Sequence, residues 1–231
     1  MDRFVLALAL LAILPPCAFA QANAPALPLE FDSEAIHLRI AGDSLEVDGT
    51  YWLVCSAQEG SMGLIYPFPA DPRMGGARAL TVEIRRPGGA WVPVPYAMLP
   101  AGAALRCRVP LLAADTLEFH AVYRQALLER YARYIVTTTR AWGRPLRRAL
   151  FTITLPEGAR LGETSYPFLP DSTAEQDDAD KEAPGPRRYV FETESFWPER
   201  DIIVQWDTPA SAAPAPAAPA PAPAHTPAPA S

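Results

Sequence analysis

Leu117-Glu118-Phe119-His120-Ala121-Val122-Tyr123-Arg124 decides the fold class. Leu117, Phe119, Ala121 and Tyr123 alternate with Glu118, His120, Val122 and Arg124, a period of two that gives a strand one buried face and one wet face. The same period runs outward through the chain, in Ile36-Leu38-Ile40, Leu80-Val82-Ile84, Ala149-Phe151-Ile153-Leu155, Tyr189-Phe191 and Ile202-Val204-Trp206. Turn chemistry separates the runs: Asp48-Gly49, Pro69-Ala70-Asp71-Pro72, Pro87-Gly88-Gly89, Pro100-Ala101-Gly102 and Pro156-Glu157-Gly158. The expected fold is all-β, an antiparallel two-sheet β-sandwich, immunoglobulin-like or related. Gln125 to Arg133 alone has helical spacing, through Leu127, Leu128 and Tyr131; its β-rich flanks make it a strand-to-strand excursion.

Composition divides the chain into three parts. Residues 1–20 read as a signal peptide: Met1-Asp2-Arg3, the apolar run Phe4 to Leu14, then Ala18-Phe19-Ala20 before Gln21. An apolar helix of that length rises only about 16 Å, too short to span a bilayer, so no transmembrane segment is expected. Export to the periplasm or the medium is the implied localisation. Cys17 also permits a lipoprotein leader, although Pro16 is a poor residue to precede the lipidated cysteine. Residues 27–207 carry nearly all the charge and the large apolar side chains, enough for one β-sandwich domain. Residues 208–231 are Thr, Pro, Ala, Ser and one His, with eight prolines, and are expected to form a disordered Pro/Ala-rich tail. In polyproline-II form the tail would reach roughly 70 Å.

Cys55 and Cys107 each lie on the apolar face of a strand pattern. In an oxidising compartment that pair is an expected inter-sheet disulfide, with two separate buried thiols as the alternative. The formal net charge is −6 and unevenly spread. Arg106 to Arg148 holds nine arginines against three acids, whereas Glu157 to Asp207 holds thirteen acids against five bases. The nineteen arginines accompany a single lysine, a bias of composition that gives no argument for nucleic acid.

No chemistry is declared by spacing. His37 and His120 both fall on outward faces, with no metal-ligand spacing around them, so neither metal nor cofactor is implied. Asp177, Asp178, Asp180 and Glu182 supply oxygen ligands but lack the order of a calcium loop. No serine or cysteine nucleophile motif is present, and Glu192 with Glu194 read as solvent-facing. The chain is expected not to be an enzyme. The suggestive residues are aromatic and cationic. Arg140, Trp142 and Arg144 follow one strand, and Trp197 and Arg200 precede the last; tryptophan beside arginine is equipment for recognising a protein or a glycan. Tryptophans near strand ends also plug sandwich cores, and that reading stands beside the first.

Tyr134-Ile135-Val136-Thr137-Thr138-Thr139-Arg140-Ala141-Trp142, Gly143-Arg144-Pro145-Leu146 and Phe196-Trp197-Pro198-Glu199-Arg200-Asp201-Ile202 resemble segments of uncharacterised exported bacterial β-sandwich proteins. That resemblance implies a cell-envelope setting and carries no activity. Tyr66-Pro67-Phe68-Pro69, with the strand at Val122-Tyr123, is similar to the N-terminal β-domain of vault and inter-alpha-trypsin-inhibitor proteins. The alanine-rich segment of those proteins is missing here. Together these features lead us to expect a non-catalytic interaction or scaffold module of the bacterial envelope. Its partner would be another envelope protein or a glycan. The alternative is a carbohydrate-binding or hydrolytic protein that uses Trp142 and Trp197.

Overall fold

The computed structural model describes residues 29–55, 59–111, 116–171 and 187–207; the leader, Cys17, the acids from Asp177 to Glu182 and the Pro/Ala tail lie outside them. The alternating runs become strands. In chain order these are β1 (Leu29–Ala41), β2 (Ser44–Cys55), β3 (Gly60–Pro67), β4 (Met74–Arg85), β5 (Val92–Pro93), β6 (Tyr96–Met98) and β7 (Ala104–Leu111). They continue with β8 (Thr116–Leu127), β9 (Tyr131–Tyr134), β10 (Leu146–Leu155), β11 (Arg160–Thr164), β12 (Leu169–Pro170), β13 (Arg187–Phe196) and β14 (Ile202–Asp207). Gln125 to Arg133 is not helical, and the excursion is shorter than expected: β8 runs to Leu127, residues 128–130 connect, and β9 starts at Tyr131. Among the described residues no helix is long and apolar enough to cross a membrane.

One layer is an eight-stranded sheet in the order β12-β13-β10-β1-β2-β8-β4-β5. The other side is divided between two three-stranded sheets, β11-β14-β9 and β3-β7-β6. All three contribute to one apolar core, with Leu38, Val47 and Phe151 from the large sheet, Leu105 and Val109 from one small sheet, and Ile202 and Val204 from the other. The all-β expectation holds, with one departure in strand direction. β1 and β10 run parallel, from Ser33 beside Arg148 to Arg39 beside Thr154. A parallel neighbour requires a long crossover, and the chain from β2 to β9 supplies it.

Two bulges move the face on which the alternation falls. In β1 the pairing with β2 shifts between Phe31 and Ser33, so Asp32 is the extra residue. Leu29 and Phe31 point inward before it, and Glu34, Ile36, Leu38 and Ile40 after it. In β4 the register shifts between Ala79 and Thr81. Leu80, which simple alternation turns inward, is therefore 41% exposed, while Ala79 and Val82 are buried. An unpaired extra residue in one strand has this effect on phase. His37 and His120 do lie on the wet face: His37 Nε2 is 2.8 Å from Thr154 Oγ1, and His120 Nε2 is 2.9 Å from Asp48.

The expected disulfide is corrected. Cys55 and Cys107 are both buried but free. Cys55 ends β2 opposite Leu29, whereas Cys107 lies within β7 between Leu64 and Tyr96, in a different sheet. Alternation identified the buried face of each strand, but a shared core does not bring two sulfurs to bonding distance. Burial pushes the Cys107 thiol up to about 11, which disfavours the reactive thiolate.

The three sheets meet at one phenol. Tyr51 Oη, on β2, is 2.7 Å from Tyr66 Oη on β3 and 2.8 Å from Tyr134 Oη on β9. The Tyr51 ring reaches that point by lying back over Gly49, where an added Cβ would stand 2.4 Å from Tyr51 Oη and 2.8 Å from its ring carbon Cζ. Gly49→Ala must therefore displace the ring and break the junction. The expected loss is about 2–4 kcal/mol, from overpacking plus orphaned hydroxyls. Urea unfolding of Gly49→Ala, Tyr51→Phe and the double variant checks this, with a double loss smaller than the sum of the singles.

Candidate interaction surface

β9 leaves its sheet at Tyr134 and the chain tightens into a 3-10 helix, Thr137–Trp142. The first backbone N–H groups of such a turn have no partner within it. Asp201, just before β14, supplies one: its Oδ1 accepts from Val136 N at 3.2 Å, Thr137 N at 3.1 Å and Thr137 Oγ1 at 2.7 Å. Its other oxygen accepts from Arg133 Nε at 2.8 Å. Burial pushes the Asp201 carboxyl up, but the hydrogen bonds from Thr137 and Arg133 outweigh it and hold the group below the ordinary carboxylate range. Thr139 Oγ1 donates back to the Val136 carbonyl at 2.7 Å. Gly143 ends the helix at φ 75°, a left-handed position open to glycine, with its N–H on the Arg140 carbonyl.

This frame divides the sequence-predicted residues. Trp142 is half-buried and meets the Phe31 ring edge-on at 5.9 Å, packed against the core. Arg144 pairs with Glu30 of β1. Both tie the end of the helix to the large sheet. Arg140, Trp197 and Arg200 are presented outward instead. Trp197 is 38% exposed although its neighbours Phe196 and Pro198 are buried, and the Arg140 guanidinium lies 5.2 Å from its ring centre. Three residues on, Arg200 lies 5.5 Å from the centre of the Tyr166 ring. Tyr166 Oη donates to the Arg200 carbonyl at 2.9 Å, and Ser165 Oγ to the Asp201 carbonyl at 2.8 Å. The turn is thus pinned by its own backbone. Glu192 and Glu194 are exposed, and Glu192 pairs with Arg148. A separate open cleft of about 300 Å³, whose lining includes Arg73, Tyr131, Glu163, Trp206 and Asp207, contains none of the predicted residues.

Sequence reasoning missed Asp201 as an anchor and missed Glu34 altogether. Glu34 is 3% exposed on the inner face of β1, and its Oε1 has no hydrogen-bond partner. Burial pushes its carboxyl up to about 8. Burial likewise pushes the phenols of Tyr51, Tyr66 and Tyr134 well above their ordinary value, and the charge of Glu34 adds to this at each. The signal for Glu34 was available: extending Ile36-Leu38-Ile40 back by two residues puts it on the inward face.

No known protein family matches the chain by sequence, and no curated protein does. Among solved structures it is similar to a candidate nutrient-binding protein from Legionella pneumophila. The TM-score is 0.54 at 12% identity, over 78% of this chain and 67% of that one. It also matches part of an M1 zinc metallopeptidase from Deinococcus radiodurans, with a TM-score of 0.44 at 15% identity, over 78% of this chain and 43% of that one. A candidate protease from Parabacteroides distasonis gives a TM-score of 0.43 at 13% identity, over 80% of this chain and 41% of that one. The chain thus spans less than half the length of either of these two proteins. At such identities the likeness to the Legionella protein shows the fold alone.

Two outcomes follow from the buried acids. Asp201→Asn turns an amide donor toward Arg133 or removes acceptors from the 3-10 turn, and should cost about 2–4 kcal/mol in urea unfolding; an unchanged midpoint would remove Asp201 as the anchor. Glu34 has the opposite sign. Its folded-state value of about 8 exceeds the ordinary 4.5, so the native state holds a proton that the unfolded chain releases. The stability that Glu34 contributes is full below pH 4.5 and is lost as pH rises toward 8, by about 1.4 kcal/mol per pH unit. Glu34→Gln should therefore gain on the parent chain progressively between pH 5 and pH 8, and parallel stability curves would contradict this.

Proposed function

We propose that this chain is an exported, non-catalytic β-sandwich module of the bacterial cell envelope that binds a partner protein through the turn carrying Trp197. The observation that carries the reading is the exposure of a fixed tryptophan. Trp197 keeps 38% of its surface in water while Phe196 and Pro198 anchor it on either side. An indole left in water forgoes part of the roughly 2–3 kcal/mol that full burial of a large apolar side chain would add. Its place on a hydrogen-bonded turn means little freedom remains to be lost on docking. Tryptophan and arginine are the residues that most often concentrate binding energy at protein interfaces. The apolar leader supports export, and the exposed arginines around the turn supply polar contacts beside the ring.

A glycan platform is less well supported by the packing. It would need flat, open rings, and Trp142 is packed against Phe31 with the two rings steeply inclined. The test is in-cell cross-linking with mass spectrometry on the full chain and on Trp197→Ala. The expected result is a specific protein partner that disappears in the variant, while thermal melting of the variant stays within a few degrees of the parent. A partner retained by Trp197→Ala, or a variant that unfolds, would make the ring a packing element and end the proposal.

A further inference from the structure

Six arginines stand around this end of the sandwich. Arg133 pairs with Asp201, Arg144 with Glu30, Arg147 with Asp32 and Arg148 with Glu192. Arg140 and Arg200 differ: among the described residues neither forms an ion pair, although both are exposed and exposed Glu199 belongs to the same turn as Arg200. Each has its guanidinium over an aromatic ring instead, Arg140 over Trp197 and Arg200 over Tyr166. A guanidinium held within cation–π range of a ring, and not by a carboxylate, keeps the N–H donors along its edge available on a side chain that the ring helps to orient. That edge is the part that binds a carboxylate with two parallel hydrogen bonds.

We infer that the partner of the Trp197 surface presents an acidic peptide segment, with one carboxylate for the fork of Arg140, a second for that of Arg200, and an apolar residue for the exposed indole. The inference rests on the proposed interaction role and names the chemistry of its partner. Trp197 and Arg200 are three residues apart in one turn and Arg140 lies over the Trp197 ring, so the indole and both arginines belong to one surface. The chain's own net charge of −6 does not forbid an acidic partner. At physiological ionic strength the Debye length is about 8 Å, so acids elsewhere are screened while the two guanidinium groups act at contact.

The test uses the full exported chain and immobilised poly-L-glutamate, with poly-L-lysine and polygalacturonate as comparison surfaces. Poly-L-glutamate should be retained, and Arg140→Ala and Arg200→Ala should each weaken retention by about tenfold or more. Arg140→Lys should recover only part of the loss, since an ammonium keeps the charge but cannot fork. Arg144→Ala, whose arginine already has Glu30, should change retention little. Equal retention by the parent and the Arg140→Ala/Arg200→Ala double variant would overturn the inference. Retention of polygalacturonate with none of poly-L-glutamate would overturn it too, in favour of an acidic glycan. The same double variant in the cellular cross-linking separates the two proposals. A partner lost by Trp197→Ala but kept by the double variant leaves the interaction reading standing and removes the acidic partner. A partner kept by Trp197→Ala removes both.

Discussion

A single phenolic oxygen holds the layers of this sandwich in register. Each three-stranded sheet turns an apolar face to the core that only the eight-stranded sheet can cover, so each depends on its attachment to that sheet. Apolar burial supplies most of the energy: the Tyr51 ring lies 5.7–5.8 Å from the rings of Phe31, Tyr66 and Phe119. Such packing tolerates sliding, because dispersion depends little on direction. The hydrogen bonds from Tyr51 to Tyr66 and Tyr134 do not tolerate it. Each contributes only about 1 kcal/mol net, yet each has one permitted length and geometry. Packing makes the domain stable and the hydroxyl junction makes its arrangement unique. Gly49 is the sequence cost of the junction, because only a residue without Cβ leaves room for the ring.

The buried carboxyl of Glu34 belongs to the same interior and pulls against it. An orphaned oxygen in a low-dielectric core is normally removed by selection for stability. Here the Asp32 bulge produces the position, since it lets Phe31 and Glu34 both face inward on a strand that would otherwise keep strict alternation. A strand without the bulge would turn Glu34 toward water and lose the inward phase of Ile36, Leu38 and Ile40. The acid is therefore tied to the register of β1, and the protonated form is the one the core accepts.

How much of this was legible follows from what kind of interaction sets each feature. Period-two alternation depends on a strand's own residues, so Phe119, Tyr123, Phe151, Ile153 and Val204 could be placed in the core from sequence. Bulges depend on the partner strand, so Leu80 was turned inward by alternation and is in fact exposed. The cysteines show the same division: the burial of Cys55 and Cys107 was local information, and whether their sulfurs meet across the sheets was not. Direction was missed once, at β1 and β10, because a crossover leaves no mark on either strand. At the candidate surface the residue types were legible but their roles were not. Trp142 and Trp197 look alike in sequence, and only the approach of Phe31 separates the packed ring from the exposed one.

The surface and the core are linked through Asp201. A rigid exposed ring requires a backbone that cannot relax to bury it, and an isolated turn would collapse the indole onto the nearest apolar surface. Asp201 prevents this by spending its carboxylate on the helix N-terminus and on Arg133, while its carbonyl takes Ser165 Oγ. Arg133 lies on β9, one residue before Tyr134, so the contact that fixes the turn and the contact that fixes the small sheet share a strand. Any change that loosens Tyr134 from Tyr51 reaches the 3-10 helix through two residues of backbone, and the Trp197 turn through the hydrogen bonds of Asp201. The presentation of Trp197 is thus a consequence of how the sheets are joined rather than an independent property of the loop.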